Sequence, residues 1–331
     1  MPPEGWMEAA RAHRHGPPES LTLERLPLAE PGPGQVRIAT QAAGVSFVDV
    51  LITAGRYQVQ PPLPYTPGTE LAGVVDAVGE GVTGLAPGDR VCASGFIGGF
   101  ATHAIAPATA VTRMLDDMDF TAASVFRASY CTAYHALVQR ARLAAGETVM
   151  VLGAGGAVGV AAIEVARALG AHVVACASSP EKRALAQDCG AEVVIDSRAE
   201  DFCEQVAQAT GGRGPDVVVD PVGGAATELA FCTLAWNGRH LVVGFAAGEI
   251  PRLKTNLPLL KGAALIGLDI RRFGEREPDV AQANLAALFE LYGTGALKPR
   301  VAVELPLTRF AKAMQLAAAG ETAGRIVLRT A

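Results

Sequence analysis

The run Gly153-Ala154-Gly155-Gly156-Ala157-Val158-Gly159 is where residue type and spacing point most directly to chemistry. It follows an apolar stretch of strand composition, Thr148 to Leu152. It precedes a segment whose apolar positions Val158, Ala162, Val165 and Leu169 recur at helical spacing before Gly170. Strand, glycine turn and helix in that order let backbone N–H groups and the positive end of a helix meet a pyrophosphate. The strict G-x-G-x-x-G spacing fails, because Val158 stands where a third glycine is required after Gly153 and Gly155. What is present is G-x-x-G-x-x-G, at Gly153, Gly156 and Gly159. The chemistry implied is dinucleotide binding, with Gly153, Gly155, Gly156, Ala157, Val158 and Gly159 in contact with it.

The second strand of such a unit chooses between dinucleotides. An Asp or Glu at its end accepts bonds from a ribose 2′-hydroxyl and repels a 2′-phosphate. Here the strand runs into Ser178-Ser179-Pro180-Glu181-Lys182-Arg183, with no carboxylate at its end. Ser178 and Ser179 offer hydroxyls, and Lys182 and Arg183 offer cations, to a dianionic phosphate. Ser179 followed by Pro180 also reads as a helix cap, and both readings can hold together. The expected cofactor is NADP(H).

Alcohol chemistry by hydride transfer needs a stabiliser for the alkoxide, usually zinc or a Tyr with a nearby Lys. None of the five tyrosines is followed four residues later by Lys, and the six histidines and six cysteines show no metal-ligand spacing. No metal is expected. Without one, an acceptor that is already electrophilic fits best, such as a quinone or an alkene conjugated to a carbonyl.

These residues need elements to hold them. From Gln35 to Val111 the chain is dense in Gly and Pro, with short apolar runs separated by turns such as Pro31-Gly32-Pro33-Gly34 and Pro87-Gly88-Asp89. That texture predicts a compact β or barrel-like domain. A helical stretch is expected over Thr121 to Leu143. After Gly146, short strands alternate with helices: Thr148–Leu152, His172–Ala177, Glu192–Ile195, Asp216–Asp220, Arg239–Gly244 and Ala264–Leu268. Six parallel strands with helices on both faces form a doubly wound dinucleotide-binding sheet. The tail, read as strand, helix (Leu307 to Ala319) and strand (Gly324 to Leu328), is expected to return to the first domain. The expected division is 1–125, 126–297 and 298–331.

With 331 residues, at roughly 100–200 per domain, two domains are affordable. Half the residues are apolar and 18% are charged, which excludes a disordered or low-complexity chain. The formal net charge of −5 provides no field for gathering nucleic acid or an anionic membrane. No apolar run reaches the roughly 18 residues of a spanning helix, and the N-terminal stretch lacks the apolar core of a signal peptide. Scattered cysteines without C-x-x-C pairs read as reduced thiols, and the cytoplasm is the expected location.

Several motifs together resemble the medium-chain dehydrogenase/reductases. They are Pro31-Gly32-Pro33-Gly34-Gln35-Val36, Ala43-Gly44-Val45, Pro67-Gly68-Thr69-Glu70 with Gly73, Pro87-Gly88-Asp89-Arg90-Val91 and Gly98-Gly99-Phe100-Ala101. Asp220-Pro221-Val222-Gly223-Gly224 and the glycine turn are similar to the zinc-free, NADPH-dependent, zeta-crystallin-like quinone oxidoreductase branch. The resemblance covers about residues 20 to 330. It implies a GroES-like partly open β-barrel domain joined to a doubly wound Rossmann domain with a six-stranded parallel sheet. Ser46 and Thr69 stand where zinc-binding relatives carry Cys and His, so it implies loss of the catalytic zinc.

By position, the resemblance gives Tyr57 the role of donor to the substrate carbonyl and sets Thr132 beside the nicotinamide ring, with Ser46 a further catalytic candidate. Gly244, Phe245 and Ala246 match the place where backbone meets the carboxamide. Val222, Asn256 and Arg325 match further cofactor contacts. Three departures are Ser46 for the usual Asn, Arg127 at a usually apolar place, and Arg271 with Arg272 where relatives carry aromatics. Arginines at Arg127 and Arg271 could select an anionic substrate by charge-assisted hydrogen bonds. The expected activity is a zinc-independent, NADPH-dependent reductase of small-molecule quinones or other activated enones, acting as a homodimer without nucleic-acid or membrane partners. The alternatives are an enoyl-CoA or alkenal reductase with an anionic substrate, and a non-catalytic NADP(H)-binding sensor.

Overall fold

A computed structural model of the chain describes residues 5–95 and 97–330. The chain forms two compact units. One takes the residues up to Ala128 together with those from Pro299 on, and the other runs from Ser129 to Lys298. Both limits fall slightly later than the sequence places them.

The strands are β1 (Trp6–Arg11), β2 (Thr22–Pro27), β3 (Gln35–Val45), β4 (Glu70–Val78), β5 (Arg90–Ser94), β6 (His103–Pro107), β7 (Val111–Arg113), β8 (Thr148–Leu152), β9 (His172–Ala177), β10 (Val193–Asp196), β11 (Val217–Asp220), β12 (Arg239–Val242), β13 (Ala264–Gly267), β14 (Val301–Pro306) and β15 (Arg325–Arg329). The α-helices are α1 (Phe47–Thr53), α2 (Phe120–Ala123), α3 (Arg127–Tyr134), α4 (Ala157–Ala168), α5 (Pro180–Asp188), α6 (Phe202–Ala209), α7 (Ala225–Thr233), α8 (Asn256–Lys261), α9 (Ile270–Arg276), α10 (Pro278–Gly293) and α11 (Phe310–Ala319).

In the first unit β14, β15, β3, β4, β5 and β7 lie side by side, with β6 also paired to β3. One edge of β3 pairs with β4 throughout; the other passes from β6 at Gln35–Ala39 to β15 at Ala42–Val45. Register shifts at Arg37/Ile38 and Thr40/Ala42 bend the strand, as a curling sheet requires. Its first half alternates in burial and its last four residues are all buried. The inward side chains, among them Ile38, Leu71, Val75, Val91, Phe100, Met314 and Leu328, make one core. The tail therefore supplies part of this unit: β15 lies between β14 and β3. The β1–β2 hairpin, absent from the sequence reading, has weak burial alternation and docks by the Ala10 N–H donating to the Phe100 carbonyl.

The second unit has strand order β10-β9-β8-β11-β12-β13, all parallel. Runs such as Val217-Val218-Val219 are buried on both faces, which is why they read as continuous apolar stretches. Chain order reverses between β8 and β11, the place where such sheets bind ligands beyond their carboxyl ends.

The expected helix over Thr121 to Leu143 is divided. α2 stops at Ala123, α3 starts at Arg127, and His135–Arg140 continues as a wider π-helix. The Ser124 hydroxyl donates back to the Thr121 carbonyl at 2.8 Å, a local bond that competes with helix continuation.

Candidate functional site

Three turns meet at the carboxyl ends of β8, β11 and β12. The first is the glycine turn. Gly153 has φ +58°, a conformation natural to glycine, and Gly156 caps α4 in extended conformation. The N–H groups of Ala157, Val158 and Gly159 open the helix and have no partner within it, so they face outward as anion donors. A Cβ at Gly159 would lie 2.2 Å from the Gly153 carbonyl oxygen, so only glycine lets α4 approach β8 this closely. The side chain of Val222 closes over Gly153, within 2.9 Å of where a Cβ would stand.

The second turn, after β11, is held by Asp220. Its Oδ1 accepts from the N–H groups of Val222 and Gly223, each at 2.9 Å. Its Oδ2 accepts from the Thr227 hydroxyl at 2.6 Å and from His240 Nε2 at 3.0 Å. Burial pushes this carboxyl up, but the hydrogen bonds from His240, Thr227 and Gly223 outweigh it and hold its pKa below the ordinary value. The third turn, after β12, rests on the second: the Ala246 and Ala247 N–H groups donate to the carbonyls of Pro221 and Val222. Gly244, Phe245 and Ala246 are thereby fixed next to Val222, with Phe245 partly exposed. This Asp220–Thr227–His240 network is invisible in sequence order, because its members come from β11, α7 and β12.

At the end of β9, Ser179 caps α5, its hydroxyl accepting from the Lys182 N–H at 3.4 Å, with Pro180 in the first turn. The Lys182 stem crosses the glycine turn: a Cβ at Gly155 would lie 2.5 Å from Lys182 Cγ. Ser178, Ser179 and Lys182 thus gather beside the opening of α4. Arg183 does not join them. It donates to the Ala177 carbonyl at 3.1 Å and pairs with Asp196 at 2.9 Å. Asp196, at the end of β10 and in register with Ala177, is a carboxylate that sequence order along β9 could not reveal.

In the first unit Ser46 caps α1. Its N–H and its hydroxyl both donate to Asp49 Oδ2 at 2.8 Å. Asp49 is 1% exposed, and burial pushes its pKa up to about 6 against the opposing hydrogen bonds of Ser46 and Thr69. The hydroxyls of Ser46 and Thr69 are therefore both directed at one buried carboxyl group. Tyr57 follows α1, half-buried against the core.

The remaining predicted residues separate. Thr132 is buried on α3 in the second unit. Asn256 opens α8, exposed. Arg325 lies on β15 in the other unit, buried and ion-paired with Glu70, so its guanidinium offsets the charge of an internal carboxylate. Arg127 donates to the Ala110 carbonyl, and Arg271 pairs with Glu275 one helical turn away at 2.7 Å. Arg272 pairs with Asp269 in the same way.

The alcohol dehydrogenase GroES-like domain family matches residues 32–116, and the zinc-binding dehydrogenase family matches residues 157–286. The quinone oxidoreductase-like protein 2 homolog of Nematostella vectensis is 36% identical over 304 residues, 90% of this chain and 82% of that protein. A mycocerosic acid synthase-like polyketide synthase of Mycobacterium tuberculosis is 37% identical over 94% of this chain, which spans 15% of that much longer protein. Among solved structures, that of mycobacterial Rv1454c complexed with NADPH superposes with a TM-score of 0.90 at 30% identity, covering 98% of this chain and 99% of that one. The chain, with its GroES-like and Rossmann units, belongs to the quinone oxidoreductase branch of the medium-chain dehydrogenase/reductase superfamily.

Proposed function

We propose that the protein is an NADPH-dependent reductase that delivers hydride to quinones or other activated α,β-unsaturated carbonyl compounds and works without a catalytic zinc. The observation that carries this reading is the cradle at the start of α4, where unpartnered helix amides, the Gly153–Gly159 contact and the adjoining Ser178, Ser179 and Lys182 converge. A diphosphate fits those amides, and a further phosphate fits the two hydroxyls and the ammonium. The NADPH in the mycobacterial Rv1454c structure supports the same cofactor here. NADPH supplies the hydride when bound. Gly244, Phe245 and Ala246, braced on the second turn, form the wall proposed for its carboxamide, with Thr132 beside the ring.

On the substrate side, Tyr57 is the proposed donor to the carbonyl oxygen, where a hydrogen bond stabilises the charge that develops as hydride arrives. Ser46 is the further catalytic candidate proposed, with its hydroxyl proton directed to Asp49. Hydroxyls at Ser46 and Thr69 are poor zinc ligands, and among the described residues no group of three or more His, Cys, Asp or Glu is arranged to hold a metal ion. The proposed assembly is a homodimer formed through the exposed edge of β13. The proposed location is the cytoplasm, whose reducing conditions suit six free cysteines. Among the described residues no helix is long and apolar enough to cross a membrane.

The test follows NADPH oxidation at its near-ultraviolet absorbance across quinones, enals and enoyl-CoA thioesters, in the wild type and in Lys182→Glu. Turnover with neutral quinones or enones is expected. Lys182→Glu is expected to weaken NADPH by about tenfold or more while sparing NADH, the scale of one charge-assisted hydrogen bond. Preference for CoA thioesters would favour the anionic-substrate alternative, and binding without turnover on the whole panel would favour a sensor.

A further inference from the structure

Helix α4 begins at the cradle and is apolar on almost every side: Val160, Ala161, Ala162, Ile163, Val165 and Ala166 are all buried. In their midst Glu164 is only 4% exposed. A carboxylate enclosed this way is costly unless donors are aimed at it. Donors from two distant parts of the chain reach one of its oxygens. The Tyr130 hydroxyl donates to Oε2 at 2.6 Å and the Lys298 backbone N–H donates to Oε2 at 2.8 Å.

The positions of those donors give the contact its meaning. The chain enters the second unit at Ser129 and leaves it at Lys298. Tyr130 lies one residue inside the entry, and Lys298 is the last residue before the exit. The two units are joined covalently only at these crossings, and each crossing is fastened to one oxygen atom of the cofactor helix. Tyr130 also shares α3 with Thr132, two residues further along and likewise buried.

We infer that Glu164 is a positioning residue for hydride transfer, pinning both chain crossings and α3 to the helix that binds the cofactor diphosphate. This rests on the reductase reading above. Glu164 touches neither substrate nor cofactor. It acts by holding α3, and Thr132 with it, in place beside the helix that carries the cofactor, where a displacement of about 1 Å can cost on the order of a hundredfold in rate.

The experiment uses the full chain, with NADPH and 1,4-naphthoquinone as probes, and compares Glu164→Ala, Glu164→Gln and Tyr130→Phe. NADPH affinity is read by titration, hydride transfer by rapid-mixing single turnovers, and backbone protection near residues 130 and 298 by hydrogen exchange. In Glu164→Ala, NADPH affinity should stay within about twofold, because the helix amides are untouched, while single-turnover hydride transfer falls about tenfold or more and both crossings lose protection. Glu164→Gln, whose amide oxygen can still accept both bonds, should keep most of the rate, and Tyr130→Phe should fall between the two. A Glu164→Ala enzyme that transfers hydride at the wild-type rate, or one that loses cofactor affinity in proportion to rate, overturns the inference. If that variant does not fold, an unchanged rate in Tyr130→Phe overturns it. A wild type that binds no NADPH or reduces no acceptor removes the reductase reading and this inference with it, whereas an active wild type with indifferent variants removes this inference alone.

Discussion

Asp49 shows how a single buried group leaves a trace in the pH dependence of stability. Its pKa rises to about 6 in the folded protein because burial disfavours the charged form, more than Ser46 and Thr69 can offset. The groups facing it are Glu70, whose negative charge raises it further, and Tyr65, whose own pKa it helps to raise. A folded pKa above the unfolded one means that the stabilisation is complete below pH ~4 and is lost as pH rises through about 6, amounting to about 3 kcal/mol. Asp49→Asn keeps the neutral shape, so its stability relative to wild type should climb by about that much between pH 4 and 8. Urea titrations at the two ends check it, and parallel curves for the two proteins would refute it. Ser46 is visible in the sequence as a departure from its relatives, but the direction of its proton toward Asp49 is not, because a serine three residues before an aspartate reads equally well as a simple cap. Lys182 and Arg183 look equivalent as neighbours in sequence. Only the pairing of β10 with β9 brings Asp196 to Arg183 and leaves Lys182 across the glycine turn.

At the scale of elements, the closeness of α4 to the end of β8 is the requirement that bears on the cradle. Adding one methyl in Gly159→Ala would force a Cβ to within 2.2 Å of the Gly153 carbonyl oxygen, and backbone cannot swing aside as a side chain can. The helix must lift, at about 1–3 kcal/mol, and the amides that open it move with it. The expected result is a lower denaturation midpoint together with at least a tenfold weaker NADPH titration; a drop in stability with full cofactor affinity would show that α4 rigidity and cradle geometry are separable. The six parallel strands were legible because each is a short apolar run between turn residues; β8 and β9 have the expected limits and the other four differ by at most two residues. The division between α2 and α3 was not legible. Thr121 to Leu143 contains no Gly or Pro, and the break depends on a hydroxyl folding back on its own turn.

For the whole molecule, the outer edge of β13 stands out. Three of its four residues are exposed, Leu265 among them, and Trp236, Leu259 and Leu260 lie 70–79% exposed in the same unit. An open strand edge of this kind invites another strand, and a second copy of the chain is the proposed occupant. Leu265→Lys should turn a dimer into a monomer in sedimentation equilibrium without lowering the NADPH affinity of the single subunit, and a wild type that sediments as a monomer at micromolar concentration would refute the pairing.

The return of the tail to the first unit also orders events during translation. β15 lies between β14 and β3, yet it follows the whole second unit in the chain. The nascent second unit has all its strands once Lys298 has left the ribosome, while the edge of β3 at Ala42–Val45 waits for residues 326–329. The later-encoded unit is thus the first able to finish, and the earlier one holds an unfilled strand berth, open to chaperones or to misdirected strands, until the final stretch emerges.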